Sequence, residues 1–293
     1  MIKKVAITGG THGNELTGVY LVKKWQKSPT RIKRSSFETI TQLMNQQAIK
    51  EVRRYIDHDL NRSFGLTDLA DKTLNSHEAK LAKELDGLLG KKGSKRPNVD
   101  FIVDLHTTTA NMGLSIVVSN KSIITWRAIA YLCKMEPELR VYRWQGDIEN
   151  AFVDSIAPHG FAIEVGAVPQ GVLRADLFLK TEMLIYHLLD YIEKENSGDK
   201  LELPTELEIY DHEVLVDYPR DANGDIMAMV HQKRQDRDFM LINQGDPLFF
   251  TLENKTITYE GEPRYTLFVN ESAYYEKGFA MTLAIKKRVL IKD

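Results

Sequence analysis

The sequence predicts an α/β protein in which a mixed sheet is covered by helices and followed by a smaller β-rich unit. Three observations predict it. Short apolar, β-branched runs at residues 4–8, 101–105 and 161–165 stop at glycine or polar residues, as buried strands do at the rim of a sheet. Between them lie segments whose apolar residues recur at helical spacing. Beyond about residue 200 that spacing gives way to closely set strand patterns.

Taken in order, residues 4–8 form the first expected strand, broken by Gly9 and Gly10. After Glu15, the residues Val19, Leu21, Val22 and Trp25 suit a helix, and 37–43 suits a second strand. Ser76 is an expected N-cap for a helix carrying Leu81, Leu85, Leu88 and Leu89, which Gly90 and Gly93 end. The strand at 101–105 stops at His106, the extended pattern resumes at 114–118, and 161–165 is a further buried strand. Helices are expected at 123–135 and 181–194. The polar stretch 195–200 marks the expected boundary between a catalytic unit, 1–198, and a β-rich unit, 199–293. Strands are expected there at 214–217, 226–230, 248–252, 256–259, 266–269 and 280–291, with turn signals at 221–225 and 253–255.

Composition narrows the function classes. The chain has 293 residues, 43% hydrophobic and 27% charged, enough for a sizeable core. Lys and Arg number 39 against 41 Asp and Glu, a net charge of -2, so neither nucleic acid nor an anionic membrane is the expected partner. The single cysteine, Cys133, allows no internal disulfide and no thiolate-rich zinc cluster, which suits a reducing compartment. The first apolar run is too short for a secretory signal, and no window approaches the ~18 apolar residues of a membrane span. A cytoplasmic location is expected.

The loop Gly9-Gly-Thr-His12-Gly-Asn-Glu15 places an imidazole and a carboxylate three residues apart just after a strand. Zinc accepts both donors, and a catalytic zinc takes three protein ligands while keeping one position open. His106, at the end of another strand, is the candidate third ligand. A dinucleotide loop is the competing interpretation, but the G-x-G-x-x-G spacing is missing. Glu164 lies inside an apolar strand, where a carboxylate is costly unless it faces a cation or stays protonated. It suits a general base beside activated water, and equally an ion-paired structural glutamate. The run from Arg53 to Arg62 offers guanidinium groups for an oxyanion and, with Asn61, for a carboxylate; its alternative is a solvated charge cluster. His58, His77, His159, His187, His212 and His231 have no comparable setting.

Six further stretches accompany the first loop. They are Tyr55-Ile-Asp-His-Asp-Leu-Asn61-Arg62, Asp104-Leu-His106-Thr-Thr-Thr-Ala-Asn-Met-Gly113, Ile163-Glu164-Val-Gly166, Pro169-Gln-Gly-Val-Leu-Arg174-Ala-Asp176, Val216-Asp-Tyr-Pro-Arg-Asp221 and Asn270-Glu-Ser-Ala-Tyr274-Tyr-Glu-Lys277. In this order, over nearly the whole chain, they resemble the aspartoacylase branch of the aspartoacylase and succinylglutamate desuccinylase family. The resemblance implies a zinc carboxypeptidase-like catalytic domain, a smaller β-rich C-terminal domain and, since the family tends to self-associate, a possible homodimer. It implies one zinc held by His12, Glu15 and His106, with Glu164 as general base and acid. It assigns Arg54 to the carbonyl oxygen, Asn61 and Arg62 to the α-carboxylate, and Tyr274 to the substrate side.

The expected activity is therefore hydrolysis of a small N-acyl amino acid to a carboxylate and a free amino acid. A zinc exopeptidase and a zinc-binding regulator without turnover are the alternatives. The pattern departs from aspartate selectivity at two positions. Asp154 and Asn150 stand where family members that act on N-acetylaspartate carry an arginine and a tyrosine for the side-chain carboxylate. Neutral or even cationic substrate side chains are expected instead, unless Arg140 or Arg143 supplies the missing guanidinium.

Overall fold

The computed structural model describes residues 1–145 and 151–291. The chain begins with β1 (Lys4–Gly9), α1 (Leu16–Lys27), β2 (Glu38–Leu43), the short helices α2 (Gln46–Glu51) and α3 (Leu66–Ala70), and α4 (His77–Leu89). It continues through β3 (Phe101–Thr107), β4 (Gly113–Val118), α5 (Ile123–Met135), β5 (Arg140–Arg143), β6 (His159–Gly166) and α6 (Ala175–Ser197). The remainder is β7 (Glu206–Val216), β8 (Ala228–Val230), β9 (Met240–Ile242), β10 (Pro247–Thr251), β11 (Thr256–Thr258), β12 (Arg264–Leu267) and β13 (Met281–Leu290).

Among the described residues, ten strands form one sheet in the order β2-β1-β3-β6-β4-β5-β7-β13-β12-β9, and β11-β10-β8 form a second. β2, β1, β3 and β6 run parallel, so their C-terminal ends share one rim. β4 enters antiparallel to β6. Open α/β sheets place their ligands at such a rim where the strand order reverses, here between β1 and β3.

Side chains alternate across β3, and this alternation separates two cores. Phe101, Val103 and Leu105 pack with Trp25 of α1, Leu184 and Tyr191 of α6 and Phe161 of β6. Ile102 faces the other way, towards Leu60, Phe64, Leu85 and Leu89. Asp104 and His106 share the face of Ile102 and follow it up to the rim. β3 is buried along its whole length, so both polar side chains are committed to internal partners.

The β-rich part is less separate than its texture suggests. β7 pairs in parallel with β5, matching Tyr142 to Tyr210 and Arg143 to Asp211, so β7, β13, β12 and β9 prolong the catalytic sheet. An uncovered β5 would leave a row of unpaired backbone groups, which this extension satisfies. β7 starts at Glu206 rather than at residue 214, because Leu207 and Ile209 alternate inward between exposed acidic residues. α6 starts at Ala175 rather than at residue 181. No helix among the described residues is long and apolar enough to cross a membrane.

Candidate active site

Three loops at the rim bring His12, Glu15 and His106 together. The turn after β1 requires glycine twice: Gly10 has φ +75°, and a Cβ at Gly13 would overlap the Ala48 backbone. That turn buries His12 at 3% exposure and sets Glu15 at the start of α1. His106 arrives from the end of β3. Its Nδ1 lies 3.2 Å from His12 Nδ1, while Glu15 places Oε1 2.7 Å from His12 Nδ1 and Oε2 2.9 Å from His106 Nδ1.

The outer nitrogens of both rings are held by carboxylates. His12 Nε2 is 2.8 Å from Asp59 Oδ1, and His106 Nε2 is 2.7 Å from Asp104 Oδ2. Each ring that donates from Nε2 turns the lone pair of its Nδ1 towards Glu15. Two imidazole lone pairs and the Glu15 carboxylate then converge, which is the donor set a divalent cation fits. The carboxylates around the site favour positive charge there, which a bound cation would supply in place of a proton. Burial opposes charge on His106, yet Asp104 and Glu15 hold its pKa well above the usual histidine value. Burial would also raise the Glu15 pKa, but His12 and His106 bring it far below the carboxylate range.

Glu164 stands directly across from His106 in the β3–β6 register. Its Oε2 is buried without a hydrogen-bond partner among the described residues, and burial, opposed by His106 and reinforced by Glu15 and Glu271, pushes its carboxyl up to about 8. Arg54 donates to Glu15 Oε1 at 2.9 Å and, more distantly, to Asp59 Oδ2 at 3.4 Å. The loop that carries it is fixed from below by Glu78, whose carboxylate accepts the backbone amides of Ile56, Asp57 and His58.

A cavity that opens to solvent adjoins Glu164. Asn61 and Arg62 line it on one side. The Asn61 Oδ1 accepts from the Val153 amide at 2.9 Å, which fixes the orientation of its side-chain amide. The Arg62 guanidinium lies 4.7 Å from the centre of the Phe152 ring. The rest of the wall is largely aromatic: Tyr142, Trp144, Phe152, Phe268, Tyr274 and Phe279. Tyr274 reaches in on the 3-10 turn Ser272–Lys277, with Phe279 4.6 Å and Phe268 5.8 Å from its ring. Glu271 holds that turn down by accepting from the backbone amides of Thr109 and Ala110 and the hydroxyl of Thr108.

Asp154 is not at the substrate position expected for it. The 3-10 turn Val153–Ile156 swings successive side chains by about 120°, so Phe152 lines the cavity while Asp154, 2% exposed, packs behind it against Gly160 at the start of β6. Burial, reinforced by Asp104, pushes its carboxyl up to about 7. Asn150 lies outside the described residues. Arg143 is bound by Asp211 through Nε at 2.7 Å and a terminal nitrogen at 2.8 Å, and Arg140 is exposed on β5. Arg62 is therefore the one cation among the described residues that line the cavity.

Sequence reasoning gave no role to Asp59, Asp104, Glu271, Lys277 or the aromatic wall. Asp104 had a usable signal, since residues two apart in a strand share a face and it precedes His106 by two. His212 turns out to support the wall. Its Nδ1 is 2.9 Å from the Tyr142 hydroxyl, and its ring lies 4.2 Å from that of Trp144.

Residues 1–192 match the model of the succinylglutamate desuccinylase/aspartoacylase catalytic domain, and residues 205–286 match that of the barrel-sandwich hybrid domain of the same family. A probable aspartoacylase of Trichodesmium erythraeum is 47% identical over 292 residues, covering 99% of each chain. The human N-acyl-aromatic-L-amino acid amidohydrolase (carboxylate-forming) is 41% identical over 286 residues, covering 95% of this chain and 89% of its own. The crystal structure of murine aminoacylase 3 superposes with a TM-score of 0.94 at 39% identity, covering 99% of this chain and 97% of that one.

Proposed function

Since this chain belongs to the succinylglutamate desuccinylase/aspartoacylase family, we propose that it is a zinc-dependent amidohydrolase that cleaves small N-acyl amino acids into a carboxylate and a free amino acid. We assign it substrates with apolar, above all aromatic, side chains. The observation that carries this is the adjacency of three convergent metal-ligating side chains, a Glu164 carboxylate with one buried oxygen that has no partner among the described residues, and an aromatic-walled cavity with a single cation among its described lining residues.

His12, Glu15 and His106 would hold the zinc, which when bound supplies the Lewis-acid charge that polarises a carbonyl and lowers the pKa of water. The protein's own groups do the rest. Glu164 takes the proton from the attacking water, whose oxygen bonds to the acyl carbon. Arg54 donates to the acyl oxygen as negative charge gathers there. The C–N bond then breaks as Glu164 returns the proton to the amine nitrogen, so one water is consumed and the products are a carboxylate and an amine. Asn61 and Arg62 grip the α-carboxylate, and Tyr274 covers the substrate from the C-terminal part. In this account residues 1–198 hold the chemistry and 199–293 build half of the substrate wall.

Two properties of the wall favour an aromatic side chain over a carboxylate. Six aromatic rings offer face and edge contacts, and Arg62, already assigned to the α-carboxylate, is the one cation among the described residues that line the cavity, which leaves none of them to pair a side-chain acid. The amidohydrolase relative named for N-acyl-aromatic substrates agrees with this reading. The chemistry is tested by Glu164→Gln, which is nearly isosteric but accepts no proton. We expect it to retain zinc and lose roughly 10²–10⁴-fold in turnover; a folded variant with near wild-type turnover would exclude Glu164 from the reaction.

A further inference from the structure

Asp59 is shared by side chains from three parts of the chain. Its Oδ1 faces His12 Nε2 at 2.8 Å and accepts from the Asn61 amide at 2.9 Å. Its Oδ2 accepts from Lys277 Nζ at 2.6 Å, while Arg54 reaches the same oxygen only at 3.4 Å. Lys277 thus holds the better place. Arg54 keeps its short bond to Glu15 at 2.9 Å, and its Nε is buried without a partner among the described residues. A guanidinium beside a carboxylate ordinarily closes a two-bond, fork-like pair. Here a lysine stands in the way, and it comes from the 3-10 turn that also carries Tyr274.

We propose that Lys277 is a positioning residue: by occupying Oδ2 of Asp59 it keeps Arg54 from closing a bidentate pair there, and so leaves Arg54 beside Glu15 with a donor free for the acyl oxygen. The inference rests on the role given to Arg54 above. Without Lys277, the strongest available partner for Asp59 Oδ2 is Arg54, which turns away from the reacting carbonyl. Asn61 and Arg62 are untouched by that turn, so substrate binding persists while turnover falls. Asp59 also keeps its bond to His12, so the metal site persists.

The test is a double-mutant cycle on the zinc-loaded, full-length protein, read as kcat and KM for N-acetyl-L-phenylalanine together with zinc content and melting temperature. Lys277→Met is expected to lose roughly tenfold to a hundredfold in kcat, the usual cost of removing a second-layer partner, with KM changed less than about twofold and zinc retained. Lys277→Arg is expected to recover most of that loss. In an Arg54→Ala background, Lys277→Met is expected to have no further effect, because the group it positions is gone. Equal losses in both backgrounds, an undiminished kcat or a parallel loss of zinc would each overturn the proposal. If Arg54→Ala alone leaves kcat unchanged, the role of Arg54 falls first, and that failure is distinguishable from a failure of Lys277 alone. Should Lys277→Met not fold, Lys277→Gln carries the same expectations.

Discussion

Replacing Asp104 by asparagine tests whether the histidines are held as metal ligands. Asp104, 1% exposed, accepts from the Thr8 hydroxyl at 2.6 Å, from the Thr11 hydroxyl at 2.9 Å and, through Oδ2, from His106 Nε2 at 2.7 Å. A hydrogen bond to a charged acceptor contributes about 1.5–3 kcal/mol against about 0.5–1.5 for a neutral one, so the exchange weakens the His106 tether by about 1–2 kcal/mol. That is roughly one decade in zinc affinity, within the 10–100-fold range of such outer-layer changes. The zinc-free protein should be weakened as well, because there Asp104 is the carboxylate that holds His106 charged and accepts from both threonine hydroxyls. We therefore expect a lower melting temperature without zinc and, in addition, a smaller increase on adding it, each decade of affinity removing about 1.4 kcal/mol of ligand stabilisation at saturation. Chelator competition gives the affinity, and scanning calorimetry with and without zinc gives the increment. An unaltered zinc affinity in the folded variant would refute the reasoning.

Two further outcomes follow from the cavity and from its support. Trp144→Ala removes part of the aromatic wall and should lower kcat/KM for N-acetyl-L-phenylalanine about tenfold or more, the scale of a lost apolar pocket contact, with little change for N-acetyl-L-alanine; equal losses on both substrates would show that Trp144 does not select. Asp211 accepts from Arg143 and, at 2.8 Å, from Lys287, and although burial opposes it these partners hold its pKa below the ordinary 3.8. Its contribution to stability is therefore present above about pH 4 and is lost as pH falls through the lower folded value. Asp211→Asn should flatten that acid limb in denaturant titrations between pH 5 and pH 2, and an unchanged slope would count against the pairing.

Much of this was legible in the sequence, for reasons that differ from residue to residue. His12, Glu15 and His106 end or follow apolar strands, so their place at a sheet rim follows from local pattern alone. Glu164 stood out as a lone carboxylate in an apolar run, and the register across from His106 explains why it is there. Asp59 could not be chosen from its charged neighbours, because its importance comes from meeting His12 and Lys277, the latter 218 residues away. The aromatic wall was likewise hidden. It draws on β5, the loop before residue 153 and the C-terminal segments around Phe268, Tyr274 and Phe279, which meet only because β7 to β13 continue the catalytic sheet. That Asp154 faces away from the cavity was not legible in the sequence, because a 3-10 turn steps successive side chains by about 120°.

The central claim joins a metal-dependent hydrolytic centre to an aromatic-walled substrate cavity, and one comparison tests both. On zinc-loaded wild-type protein, kcat/KM is measured for N-acetyl-L-phenylalanine and for N-acetyl-L-aspartate, with the chelated protein as control. Placing an unpaired carboxylate against the aromatic wall costs at least about 1–3 kcal/mol, so the account predicts that the phenylalanine derivative is preferred about tenfold or more and that both activities vanish on chelation. A preference for N-acetyl-L-aspartate, or hydrolysis that survives removal of the metal, would contradict it.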